Sequence, residues 1–183
     1  MRADARRNRA RVLEAASEAF AEEGLSVPLD EIARRAGVGP GTVYRHFPSK
    51  ERLFEAVALS SVDQLIERAD KFSRAPDAGG AFFTFFSDLV HVAWSNRALL
   101  EALASAGIDF KKTAVGSAGD RLKRSVSQLL VSAQRAGAVR SDLTAADLNA
   151  LLNGVLAMQQ EGDCKRSLDV VLAVVTDGLR AHR

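Results

Sequence analysis

Residues 30–50 read Asp30-Glu-Ile-Ala-Arg-Arg-Ala-Gly-Val-Gly-Pro-Gly-Thr-Val-Tyr-Arg-His-Phe-Pro-Ser-Lys50. Apolar Ile32, Ala33 and Ala36 recur at helical spacing and stop at Gly37,. This helix is expected to start near Pro28, with proline at its first helical position, where a missing N–H does no harm,. Gly39-Pro40-Gly41 then permits a tight turn, and a short helix is expected from Thr42 to Phe47,. Pro48-Ser49 ends that helix and caps the next,. Upstream, Val12, Leu13, Ala16, Ala19 and Phe20 share one face of a helix expected from about Ala5 to Glu23, closed by Gly24,. Three short helices joined by tight turns outline a helix-turn-helix. Ala33 and Ala36 are small enough for two helices to cross closely at Gly37-Val38-Gly39.

The charge around this stretch is uneven. Lys+Arg minus Asp+Glu is 25 − 23 = +2 over 183 residues, so the chain as a whole is not a polycation. Residues 1–11 nevertheless hold Arg2, Arg6, Arg7, Arg9 and Arg11 against Asp4 alone. A local arginine cluster on an otherwise neutral body suggests an anionic polymer as partner. Thr42, Tyr44, His46 and Lys50 add a hydroxyl, a phenol, an imidazole and an ammonium, all natural phosphate contacts,. Lys50 opens a helix whose free N–H groups also favour an anion.

The remainder is expected to be helical throughout. Helices are expected over Lys50 to about Phe72, Ala81 to Ser95, Arg97 to Ala104, Ala118 to Ala136, Thr144 to about Gln160 and Arg166 to Ala181,. Asp77-Ala78-Gly79-Gly80 reads as a loop and Gly107 to Ser117 as an irregular connection,. Val170 to Val175 is compatible with a buried strand, but no partner strand is visible. Thr144-Ala-Ala-Asp147 resembles a capping box, with Asp in place of the usual Glu,. The fold class is therefore all-α: an N-terminal helix-turn-helix domain over 1–48 and a helical body over 49–183. The hydrophobic share of 47% with 26% charged residues argues against disorder,. No apolar window is long enough for a membrane helix, and the Arg-rich first residues with no apolar run behind them lead us to expect no secretory signal,. Cys164 is the one cysteine, which rules out an internal disulfide and favours a cytoplasmic location,. Catalysis is not indicated. His46, His91 and His182 are the only histidines, and neither a metal-spaced cluster nor a phosphate loop nor a nucleophile elbow appears,. No metal or cofactor is expected.

The segment Val12 to Val57, and above all Ile32-Ala-x-x-Ala-Gly-Val38 followed by Tyr44-x-His-Phe-x-x-Lys50, resembles the signature of TetR-type transcriptional regulators. The resemblance implies roles for single positions. Thr42, Tyr44, His46 and Lys50 match positions that hold the DNA backbone. Pro40, Gly41 and Arg45 match recognition-helix positions that face or approach base edges. Ile32, Ala33, Val38, Val43 and Phe47 match the motif's core. Two hydroxyls usual in the family are missing: Val27-Pro28-Leu29 stands before the second helix, and Gly39 replaces a serine. Phosphate affinity is then expected to lean on an arginine arm (Arg6, Arg7, Arg9) reaching the flanking minor groove. Direct base readout falls mainly on Arg45.

The body suggests two further sites. Phe82, Phe83, Phe85, Phe86, Leu89, Val90, Val92 and Trp94 make one helix apolar around most of its circumference, which places it mid-domain,. An effector pocket is expected from Phe82, Phe85, Phe86, Asp88, His91 and Trp94 with Leu103, Phe110, Leu122, Val126 and Met158,. These faces carry no Arg or Lys cluster, so the small-molecule effector is expected to be largely apolar. A homodimer interface is expected from Leu151, Leu152 and Val155 on one helix and Leu168, Leu172, Val175 and Leu179 on the last,. The function implied is a repressor that binds palindromic double-stranded DNA as a dimer and is released by its effector. The alternatives are a helical DNA-binding protein without an effector and, remotely, a small all-α enzyme.

Overall fold

The computed structural model describes residues 2–105, 112–158 and 165–181. Among them the chain forms eight α-helices: α1 (Arg2–Glu23), α2 (Leu29–Ala36), α3 (Pro40–His46), α4 (Lys50–Phe72), α5 (Ala78–Ser105), α6 (Ala114–Arg135), α7 (Ala145–Ala157) and α8 (Lys165–Leu179). The only β pairing among the described residues is one antiparallel bridge, Val139 to Arg180. The all-α expectation is met, and Val170–Val175 lies inside α8 rather than in a strand. The chain divides into two compact units, Met1–Val62 with Ser95–Ser117 and Asp63–Trp94 with Ala118–Arg183.

The first unit is built on the buried stripe of α1. Val12, Ala16 and Ala19 pack with Ile32 and Ala33 of α2, Val43 of α3 and Leu53 of α4, all fully buried. Phe20 meets Phe54 edge to face at 5.0 Å. Arg35 on α2 pairs with Glu22 at 3.0 Å and also with Glu23, both on α1, and with Glu31 of its own helix at 2.9 Å. The two α1 carboxylates on one half-buried guanidinium, itself oriented by Glu31, tie α2 to the end of α1,.

Several helix boundaries differ from expectation, each for a local reason. α1 begins at Arg2 rather than Ala5, because Asp4 in its first turn suits the positive helix end and Ala and Arg are strong helix formers,. The arginines expected to form an arm are therefore helical residues. Pro28 is the N-cap of α2, not its first residue: its ψ of 148° is extended, and its carbonyl accepts from the N–H groups of Glu31 and Ile32 at 3.1 and 3.2 Å. α3 starts two residues before Thr42 because Pro40 takes the first helical position and Gly39 caps it,. Gly37, at φ 61°, closes α2 in the left-handed region,.

The expected loop at 77–80 is the start of α5. Asp77 Oδ1 accepts from the N–H of Gly80 at 2.9 Å, so aspartate caps the helix,. Gly79 is needed there, since a Cβ would fall 2.5 Å from the Ala138 side chain. The break expected near Ser95-Asn96 is absent, and α5 runs unbroken through both segments. Ser61 Oγ on α4, which also reaches the Val57 carbonyl at 3.1 Å, lies 3.4 Å from Asn96 Oδ1, so the Asn96 amide faces a cross-helix polar group rather than its own helix backbone,. α6 starts at Ala114, inside the expected irregular connection, because Thr113 accepts from Gly116 N–H through its hydroxyl and from Ser117 N–H through its carbonyl.

The second unit is centred on the phenylalanines of α5. Phe82, Phe85 and Phe86 are each 1% exposed. Phe82 stacks on Phe86 at 6.1 Å, and Phe72 of α4 meets Phe85 at 6.3 Å. Leu129, Leu130 and Ala133 of α6, Leu148 and Val155 of α7, and Leu168, Leu172 and Leu179 of α8 complete the core. The capping box of α7 is formed. Asp147 N–H donates to Thr144 Oγ1 at 3.3 Å, and Thr144 N–H donates to Asp147 Oδ2 at 2.8 Å. Arg180 lies over the Phe83 ring at 4.5 Å.

Candidate nucleic-acid interface

α3 is seven residues long, and its two faces divide cleanly. Val43 is fully buried, and Phe47, its C-cap, is 2% exposed. Their burial turns Pro40, Gly41, Tyr44 and Arg45 to solvent, with Tyr44 49% exposed. Thr42 and His46 are half-buried beside them. Arg45 has neither an ion pair nor a hydrogen bond among the described residues. A buried valine and phenylalanine thus hold a short helix whose free side carries a phenol and a guanidinium, the two chemistries that reach phosphates and base edges.

Lys50 stands next to this face, at the first residue of α4. Ser49 Oγ accepts from Arg52 N–H at 3.3 Å and caps the helix, while Lys50 Nζ lies 5.9 Å from the centre of the Phe54 ring. A hydrogen bond from Ser49 holds the Glu51 carboxyl below the usual carboxylate range, and its own backbone N–H acts in the same direction. On α2 the Arg34 guanidinium donates to Glu31 at 2.8 Å and lowers that carboxyl in the same way. Arg34 is thereby tied to its own helix, while Arg45 makes no ion pair among the described residues and Lys50 acts on a carboxylate only through its charge near Glu51.

On α1, Arg6 is exposed, Arg7 pairs with Asp4, and Arg9 lies over the Phe47 ring at 5.5 Å. The nucleic-acid residues named from the sequence therefore fall on α1, α3 and the first turn of α4, all in the first unit.

The residues expected to line an effector pocket are placed variously. Phe82, Phe85 and Phe86 are packed in the core of the second unit, with Trp94, Leu122 and Val126 half-buried against it. Asp88 pairs with Arg68 of α4. His91 Nδ1 donates to the Ser87 carbonyl at 2.8 Å, and its Nε2 lies 3.5 Å from Asp169. Phe110 and the side chain of Leu103 lie outside the described residues, as do Cys164 and His182. Met158 lines a groove of about 510 Å³ formed by α7 and α8, together with Leu151, Gly154, Val155, Val171 and Val175.

That groove takes in three of the residues expected at a dimer interface, Leu151, Val155 and Val175. Leu152 is half-buried against the core. Leu168, Leu172 and Leu179 face the chain's own core at 5, 7 and 2% exposure. The outward side of α8 instead carries Val170 and Val174, 60 and 68% exposed. Their spacing of four, offset from Leu168 and Leu172, is the sequence signal that separates the two sides of the helix.

Residues 12–57 match the family profile described as bacterial regulatory proteins of the TetR family. Residues 77–181 match that of the SbtR-like transcriptional regulator C-terminal domain. The chain is 30% identical to the HTH-type transcriptional regulator UidR of Escherichia coli strain K12, over 99% of this chain and 93% of that protein. A TetR transcription regulatory protein from Mycobacterium vanbaalenii shares 44% identity at a TM-score of 0.79, covering 98% of this chain and 99% of that one. A TetR transcriptional regulator from Streptomyces coelicolor shares 30% identity at a TM-score of 0.80, covering 96 and 99%. These relatives are regulators rather than enzymes. With its helix-turn-helix, its helical C-terminal region and these likenesses, the chain belongs to the TetR family of DNA-binding transcriptional regulators.

Proposed function

We propose that the chain is a cytoplasmic repressor that binds a palindromic operator as a homodimer and leaves it when a small, largely apolar effector binds. Residues 1–48 form the reading domain and 49–183 the effector-binding and dimerisation domain. The observation that carries the reading is the two-faced α3, with Val43 and Phe47 buried and Tyr44 and Arg45 outward. Tyr44, Thr42, His46 and Lys50 hold phosphates, and Arg45 meets base edges beside Pro40 and Gly41. Arg6, Arg7 and Arg9 add positive charge from the first turns of α1. So short a reader covers few base pairs, so affinity requires two copies about 34–36 Å apart on the duplex. The α7–α8 groove with Val170 and Val174 supports pairing of two chains through these helices,. The effector site draws on the aromatic helix α5 and its neighbours, with Asp88 or His91 orienting the molecule.

The tight packing of Phe82, Phe85 and Phe86 favours a second reading, a DNA-binding regulator with no effector at α5. One experiment separates the two. The protein first selects its site from a pool of random duplexes. Hydrophobic compounds are then titrated while Trp94 fluorescence and duplex binding are followed together. A compound that changes both supports the effector reading. A protein that selects a duplex, yet responds to none of a broad panel, supports the second. Failure to enrich any duplex would contradict both.

A further inference from the structure

Arg9 and Arg11 fall on opposite flanks of the stripe by which α1 packs. With Val12 fully buried, successive residues turn by about 100°, so Arg9 lies roughly 60° to one side and Arg11 roughly 100° to the other,. Arg9 reaches the Phe47 ring at the end of α3. Arg11 reaches the turn between α2 and α3, where its Nη2 donates to the Gly37 carbonyl at 3.2 Å.

That turn sets how α2 and α3 cross. The Gly37 N–H bonds to the Arg34 carbonyl at 3.1 Å and the Val38 N–H to the Ala33 carbonyl at 3.0 Å, closing α2. Among the described residues no backbone N–H donates to the Gly37 carbonyl; Arg11 does. The cation also sits at the C-terminal end of α2, where free carbonyls favour positive charge. Glycine supplies the left-handed backbone that the turn requires, and a Cβ there would only make the exposed Arg11 guanidinium swing aside,. The N-cap of α3 is Gly39, which offers no side-chain bond to that end of the turn.

We propose that Arg11 is a positioning residue for DNA recognition: its guanidinium holds the Gly37 turn, and through it the crossing of α2 and α3, without touching DNA. The proposal rests on the reading of α3 as the DNA-contact helix. It separates Arg11 from Arg6, which is also exposed but has no partner among the described residues and is free to meet a phosphate.

The test uses the full chain, the duplex it selects from a random pool, and two variants, Arg11→Met and Arg6→Met. Methionine keeps an apolar stem and removes both the charge and the donors. Binding is followed over a salt series, and amide exchange at Val38 is measured without DNA, so that the turn is assessed independently of the DNA reading. Arg11→Met is expected to weaken binding roughly fivefold, with the slope of log K against log salt unchanged and Val38 exchange faster. Arg6→Met is expected to lower that slope by about one and leave Val38 exchange unchanged. A slope lowered by about one in Arg11→Met would make Arg11 a phosphate contact and overturn the proposal. Unchanged affinity together with unchanged Val38 exchange would also overturn it.

Discussion

Tyr44 and Arg45 are adjacent on α3 and both exposed, yet they offer DNA different things. A phenol hydroxyl makes one hydrogen bond to a phosphate oxygen, which fixes register and carries no sequence information. A guanidinium makes two parallel bonds to a guanine edge. Arg45→Ala is expected to cost about 1–3 kcal/mol on the preferred duplex and to relax the preference at one base pair. Repeating site selection with the variant checks this, and an unchanged preferred site would remove Arg45 from base readout. Lys50→Ala is expected to weaken all duplexes alike and lower the salt slope by about 0.9, because one phosphate contact releases about one counterion. Much of this face was legible through the family resemblance, which assigned Val43 and Phe47 inward, whereas local rules alone read Gly39-Pro40-Gly41 as a turn and started the helix at Thr42. The arginines of α1 were not. Charge clusters have no period of their own, so Arg6, Arg7 and Arg9 look alike in sequence until Asp4 and the Phe47 ring give two of them separate partners.

Helices α5 and α7 show what terminal signals can and cannot convey. The Thr144–Asp147 box was visible because a hydroxyl and a carboxylate three residues apart satisfy two free N–H groups reciprocally,. Thr144→Ala is expected to cost about 1 kcal/mol, read from denaturant unfolding. The Thr144 side chain, then the Thr144 backbone N–H, hold the Asp147 carboxyl below the usual range. A carboxyl depressed in the folded state stabilises the protein above its unfolded pKa of about 3.9 and loses that effect as pH falls through the lower folded value. Asp147→Ala should therefore unfold at lower temperature than wild type near neutral pH, and the gap should close in acid below the ordinary carboxylate range. A gap that persists there would mean that the carboxylate's charge plays no part. The length of α5 was not legible. Ser95-Asn96 is a poor helix-forming pair by local rules, and the Ser61 contact that accommodates it lies 35 residues away in sequence. Phe86, by contrast, is a core residue on any reading. Phe86→Ala is expected to cost about 3–5 kcal/mol through the cavity it leaves,.

At the scale of the whole molecule, the proposed homodimer turns on α8. α8 has two sides with different roles. Leu168, Leu172 and Leu179 are consumed by the chain's own core, and replacing them tests folding rather than association. Val170 and Val174 are 60 and 68% exposed, where isolated chains gain nothing from β-branched apolar side chains in a helix,. Val171 and Val175 lie between the two sides and line the α7–α8 groove. The sequence pointed to apolar residues of both helices for an interface, but periodicity could not say which leucines the chain uses for itself. Val174→Asp should therefore leave the monomer's fold and unfolding midpoint nearly unchanged, since the new carboxylate stays in water. In a dimer it would be desolvated against apolar surface at a cost of several kcal/mol. Sedimentation at micromolar concentration is expected to show wild-type dimers and Val174→Asp monomers, with helical content unchanged. The same variant should lose affinity for the full palindrome while still binding a half-site as wild type does, because α3 and its neighbours are untouched. A Val174→Asp protein that sediments as a dimer would place the interface elsewhere on the chain.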